Sequence, residues 1–148
     1  MSPRDELAAL LDALDEANCE CDGLTRLVTT ALHWNEIPHS VFKGAVRRKR
    51  PGDAPDLVVA PHYWVVVGDL VMDYRAQMWL GTDESVPHGV FAVNAHPLVE
   101  YAGEEVGMMA LPVSLFRFVC DNDGCDFENL IPESMRERHS ATANSESY

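Results

Sequence analysis

The sequence predicts one α+β domain in which N-terminal helices pack on a mainly antiparallel β-sheet. Apolar residues recur at helical spacing up to Trp34, whereas β-branched and aromatic residues dominate after Ile37. A chain of 148 residues with 47% apolar residues is also long enough to bury one core. We assign the domain to residues 1–132. Residues 133–148 lack hydrophobic periodicity and are rich in Ser, Glu, Asn and Arg, which predicts a disordered tail.

Two helices are expected at the N-terminus. Ser2 and Pro3 suit an N-cap and a first helical position, and leucines then repeat at helical spacing towards Asn18. A second amphipathic stretch begins at Cys21 and ends near Trp34. Cys21 is therefore predicted to lie at the N-terminus of a helix.

Four strands are expected later in the chain, where β-branched and aromatic residues cluster, at positions 40–47, 63–67, 70–74 and 114–120. Gly68 and Asp69 form a two-residue turn signal, so the second and third of these strands are predicted to pair as a hairpin. In this register His62 lies diagonally opposite Asp73, on the same face of the sheet. The two side chains are therefore expected to lie within reach of each other.

Charge and hydropathy narrow the class of protein. The 24 acidic and 11 basic residues give a formal charge of −13, which disfavours binding to nucleic acid and to anionic membrane surfaces. The longest apolar runs are far shorter than the roughly 20 residues that span a bilayer. The N-terminus also lacks the basic start, apolar middle and small-residue cleavage site of a signal peptide. We expect a cytoplasmic protein that does not enter the membrane.

The four cysteines are expected to be free thiols, because a cytoplasmic chain keeps cysteines reduced. Cys120 and Cys125 suggest a zinc site when combined with Cys19 and Cys21, but one intervening residue suits chelation of a tetrahedral ion poorly. The acidic run at 121–128 suggests calcium, yet it lacks the register of an EF-hand loop. We therefore predict no metal and no cofactor.

The free thiols favour a reactive cysteine. A thiolate is stabilised by a helix N-terminus and by a neighbouring imidazole, and Cys21 has the first of these by position. His62 is the candidate imidazole, and Asp73 would hold the other nitrogen of its ring. Cys19 is the alternative nucleophile, but Cys21 opens the periodic helix. The predicted catalytic residues are thus Cys21, His62 and Asp73.

The order of these residues resembles a known superfamily. The residues at 21–28, followed by Ala31, Leu32, Ile37, Pro38, Val41 and Gly44, look like the nucleophile helix and first strand of transglutaminase-like proteins. His62, Tyr63, Trp64 and Asp73 match the order of the later triad residues, and the resemblance covers positions 18–80. It implies a papain-like or transglutaminase-like core and a cysteine-dependent peptidase, amidase, deamidase or acyltransferase.

Further candidates surround this triad. No Gln precedes Cys21 to donate to an oxyanion, so Asn18 or backbone N–H groups are expected to serve. Trp64, Trp79 and His88 are secondary candidates for a substrate cleft. The expected substrate is a protein or peptide. The alternative is a non-catalytic, acidic interaction module that binds a basic protein partner through the same scaffold.

Overall fold

The computed structural model of the chain describes residues 1–136. Among these residues the helices and strands follow in the order α1 (Pro3–Leu11), α2 (Cys21–Trp34), β1 (Ser40–Arg48), β2 (Leu57–Val67), β3 (Leu70–Asp73), α3 (Gln77–Leu80), β4 (Gly89–Ala92), β5 (Val99–Val106) and α4 (Val113–Asp123). Short 3-10 helices follow α1 and α4, at Asp12–Glu16 and Phe127–Leu130. Of the tail predicted at 133–148, positions 137–148 lie outside the described residues, and Met135 packs against the main core.

The five strands form one sheet in the order β4-β3-β2-β1-β5, and every neighbouring pair is antiparallel. This confirms the α+β class and the antiparallel sheet. The hairpin turn lies at the predicted place, since Val67 pairs with Leu70 and Gly68 adopts a φ of 58°. Glycine tolerates this left-handed conformation without steric cost.

The structure corrects several expected elements. The strand expected at 114–120 is part of α4, because Phe116 and Cys120 recur at helical spacing on its buried side and Gly124 ends the helix in the left-handed conformation. The first α-helix, which was expected to extend towards Asn18, ends at Leu11 and is followed by a 3-10 helix at Asp12–Glu16. Strands β4 and β5 were not expected, because both are short or largely exposed and so lack an apolar alternation.

The two faces of the sheet are packed differently. The main core lies on the helical side, where Leu27 and Leu32 of α2 pack with buried residues of α1, α4 and the sheet. A smaller cluster lies around Trp64 and Phe91 and includes Ala76 and Leu80 from the α3 region. Within residues 1–136, no helix combines the length and the apolar character that crossing a bilayer requires.

Candidate functional site

His62 and Asp73 form a buried hydrogen-bonded pair. His62 Nε2 lies 2.8 Å from Asp73 Oδ2, and the two side chains are 0% and 1% exposed. The pair exists because β2 and β3 are joined by the Gly68–Asp69 turn, which sets their register. The diagonal contact expected from the hairpin is therefore present. Trp64, two residues along the same strand, lies beside the imidazole, with ring centroids 6.4 Å apart.

Both oxygens of Asp73 accept two hydrogen bonds. Oδ1 accepts from the backbone N–H groups of Arg75 at 3.0 Å and Ala76 at 3.1 Å. Oδ2 binds His62 and also accepts from the hydroxyl of Tyr101 at 2.8 Å. A carboxylate that is buried and surrounded by donors in this way is held in one orientation.

Cys21 is the first residue of α2 and is partly exposed. β3 pairs with β2 only as far as Val65, so one side of β2 is unpaired at His62. Burial by itself lowers the pKa of His62, but the hydrogen bond to Asp73 and the nearby Cys21 thiol raise it to about 9. Among residues 1–136, no hydrogen bond of good geometry reaches the buried His62 Nδ1. The Cys21 thiol is nevertheless close enough to the imidazole to raise its pKa.

The buried guanidinium of Arg75 holds the segment that leads into α2. It donates to the carbonyl oxygens of Cys19 at 3.0 Å, Ala17 at 2.9 Å and Asp15 at 3.1 Å, and it pairs with the carboxylate of Asp15 at 2.8 Å. Because Arg75 also donates its own N–H to Asp73, one residue ties the carboxylate to the chain that carries Cys21. This connection places the α2 N-terminus against the end of β3.

The space immediately around Cys21 is small. Cys21, Tyr63, Asp73 and Arg75 line a crevice of about 10 Å³, which is room for about one water molecule. Two larger grooves are lined by residues that precede or follow Cys21 in the sequence, although Cys21 itself lines neither of them. One of about 350 Å³ starts at Asp22 and Gly23, and one of about 650 Å³ starts at Asn18, Cys19 and Glu20.

The secondary candidates from the sequence lie in different places. Asn18 is exposed in the larger groove, where His88 also lies and pairs with Asp15 at 2.8 Å. Trp64 is buried next to His62. Trp79 is 56% exposed on the short helix α3. The structure therefore brings Asn18 and His88 to one groove but not together with the two tryptophans.

The other three thiols lie close to one another. Burial raises the pKa of Cys19 to about 11, and the neighbouring Cys125 adds to this rise. A hydrogen bond between Cys120 and Cys125 raises the pKa of Cys120 and lowers that of Cys125. No group of three or more potential ligands among residues 1–136 has the geometry to hold a metal ion.

Two residues of the site were not predicted from the sequence. Tyr101 reaches Asp73 from β5, 28 residues further along the chain, and Arg75 reaches Asp15 across 60 residues. Arg75 offered one local signal, since it is a basic residue two positions after the buried strand that ends at Asp73. Tyr101 offered none, because its strand was not expected.

Comparison with known proteins finds no match for this chain among protein-family models, curated protein sequences or solved structures. A proposed function therefore rests on the geometry and chemistry of the chain's own residues.

Proposed function

We propose that the chain is a cysteine-dependent acyl-transfer enzyme that works through a thioester at Cys21, on a papain-like or transglutaminase-like core. One observation carries this proposal. A carboxylate fixes the buried imidazole of His62 at Nε2, and Nδ1 is unpaired within residues 1–136. The thiol of Cys21, at the N-terminus of α2, raises the pKa of this imidazole. A nucleophile, a base and an orienting acid in this order are the parts of a triad.

The chemical steps follow from these positions. The Cys21 thiolate attacks the carbonyl carbon of an amide or ester, and charged His62 gives its proton to the leaving group as the carbon–nitrogen or carbon–oxygen bond breaks. The resulting thioester is then attacked by water or by an amine, whose proton passes to His62 as the carbon–sulfur bond breaks. Asp73 keeps the ring in place and stabilises its charged form. Hydrolysis, deamidation and transfer share these steps.

The start of α2 supplies the donors for the oxyanion. In the first turn, the N–H of Gly23 is already bonded to the side chain of Asp22, and the N–H of Leu24 to the carbonyl of Glu20. The N–H groups of Cys21 and Asp22 are therefore the backbone donors left for a developing negative charge. The exposed Asn18 side chain is the alternative donor.

The two open grooves, which are lined by the sequence neighbours of Cys21, favour an extended substrate, such as a protein or peptide chain, over a small buried ligand. Two carboxylates and one guanidinium line each groove: Asp22, Asp123 and Arg26 in the smaller, and Asp15, Glu20 and Arg75 in the larger. This excess of acidic groups suits a substrate or partner with basic side chains. We place the reaction in the cytoplasm, where a free thiol stays reduced.

The proposal is tested by mapping thiol reactivity across pH. Iodoacetamide modification from pH 4 to pH 9, resolved by mass spectrometry, is expected to label Cys21 first and already at acidic pH. His62→Ala is expected to slow this labelling at pH 6 by about 10- to 100-fold, because the charged imidazole that favours the thiolate is lost. His33→Ala is the matched control. It removes an exposed histidine from α2, the helix that begins at Cys21, and this variant should be labelled like the wild type.

A second measurement detects the thioester directly. p-Nitrophenyl acetate should acetylate Cys21, and hydroxylamine should remove the acetyl group. Cys21→Ser should abolish this labelling, whereas Cys19→Ser should not. Uniform modification of the four cysteines near pH 8.5 would reject the enzyme and favour the acidic interaction module.

A further inference from the structure

We propose that Tyr101 is a positioning residue of the candidate site, because its hydroxyl occupies one acceptor position of Asp73 Oδ2 and so fixes both the orientation of the carboxylate and the tautomer of His62. A role of Tyr101 in catalysis rests on the proposed function. The coupling of Tyr101 to His62 through Asp73 does not, and it is tested in the protein without substrate.

The contact crosses the sheet. Tyr101 lies on β5, an edge strand separated from β3 by β1 and β2, and its hydroxyl still reaches Asp73 Oδ2 at 2.8 Å. The ring packs edge-on against Trp64, with centroids 5.0 Å apart. Glycine at position 103 leaves the room for this packing, since a Cβ there would lie 2.8 Å from Trp64 Cη2. The packing of β5 against Trp64 therefore positions the Tyr101 hydroxyl at Asp73.

The protons in this network can be assigned. Burial and the nearby Asp73 charge strongly raise the pKa of Tyr101, so its hydroxyl stays protonated and donates. Asp73 then accepts four hydrogen bonds as a carboxylate, and the proton between it and the imidazole belongs to His62 Nε2. In neutral His62 the lone pair is consequently on Nδ1, the nitrogen left for the thiol. Tyr101 thus favours the tautomer that a general base needs.

The Tyr101 hydroxyl and the His62 imidazole both donate a hydrogen bond to Asp73 Oδ2. Removing the hydroxyl leaves more charge on Oδ2 for the imidazolium, so Tyr101→Phe is expected to raise the pKa of His62 by about half a unit to one unit. The other titratable groups that act on His62 are Asp73 on β3 and Cys21 on α2, and both remain in the variant. Phenylalanine also keeps the ring that packs on Trp64.

The experiment is a pH titration of the His62 ring by NMR, in protein labelled with ¹³C and ¹⁵N at histidine. The wild type, Tyr101→Phe and Tyr74→Phe are compared. Tyr74 is the matched control, because its hydroxyl also donates to a carboxylate at 2.8 Å, that of Asp12, and not to Asp73. The nitrogen shifts report the tautomer in the same spectra, and Nε2 should carry the proton in neutral wild-type His62.

A second variant moves the pKa in the opposite direction. Site-specific 3-fluorotyrosine at position 101 keeps the ring and strengthens the hydroxyl as a donor, so the pKa of His62 should fall. This variant also serves if Tyr101→Phe does not fold. Opposite shifts from the two variants, with Tyr74→Phe unchanged, support the inference. A His62 pKa that stays constant in both, or moves equally in Tyr74→Phe, overturns it.

The two proposals fail separately. Equal reactivity of the four cysteines rejects the enzyme without changing the predicted NMR shifts. A constant His62 pKa with selective Cys21 labelling rejects the role of Tyr101 and leaves the enzyme in place.

Discussion

Two thiols, Cys21 at the start of α2 and Cys19 just before it, lie in different surroundings. Cys21, at the first position of the helix, acts on the buried imidazole of His62. Cys19, two residues earlier, lies in the segment held by Arg75 and next to Cys125. Burial raises the pKa of Cys19 to about 11, so its thiolate is disfavoured. Two cysteines that are close in sequence therefore lie in different surroundings, because burial and neighbouring charges depend on the fold and not on sequence separation.

The difference between the surroundings of Cys19 and Cys21 depends most on Arg75, which holds the segment that carries both thiols. Arg75→Met is expected to lower the free energy of unfolding by about 3–5 kcal/mol, because the carboxylate of Asp15 and several carbonyl groups lose a largely buried donor. The preference of iodoacetamide for Cys21 should be lost together with this stability. Urea unfolding at pH 7 and mass-spectrometric mapping measure the two effects.

The control for this change is Arg47→Met. Arg47 is 51% exposed and lies 3.5 Å from Asp56, so its loss should change the free energy of unfolding by less than about 1 kcal/mol. Equal stability losses in the two variants would mean that Arg75 does not hold the site.

The difference in reactivity between the two thiols is the next largest effect. At pH 7, Cys19 should be alkylated at least about 100-fold more slowly than an unperturbed cysteine, since a pKa of about 11 leaves very little thiolate. Cys21 should react at least as fast as the unperturbed cysteine. Rates for each peptide, measured in the native protein and again in 8 M urea as a control, test this ratio. Similar native rates for Cys19 and Cys21 would contradict it.

The smallest expected effect is the pH dependence of stability that His62 contributes. Its pKa is about 9 in the folded chain and about 6.5 when unfolded, so its contribution is complete below pH 6.5 and is lost as the pH rises through 9. The stability difference between wild type and His62→Gln should shrink by about 2 kcal/mol from pH 5.5 to pH 8. Urea unfolding at both values measures it, with His33→Gln as the control. A constant difference would show that the charged form of His62 is not stabilised by the fold.

Local patterns in the sequence were sufficient for part of the site. The periodic residues after Cys21 predicted α2 correctly, and the Gly68–Asp69 turn predicted the hairpin register that brings His62 to Asp73. Local patterns were misleading at 114–120, where β-branched and aromatic residues occur in a helix. There the spacing of Phe116 and Cys120 on the buried side outweighs residue preference, because packing against the core decides the structure.

The sequence by itself determined the elements whose signals are local: the position of Cys21 at a helix start, the turn that pairs β2 with β3, and the excess of acidic residues. Only the tertiary structure decided that, in the candidate site, Tyr101 contacts Asp73 and Arg75 contacts Asp15. Their partners lie 28 and 60 residues away, and these contacts depend on the order of the strands and on the path of the chain before α2. Burial also raises the pKa of Cys19, against the opposing charge of Arg75, because desolvation arises from packed neighbours that no short stretch of sequence contains.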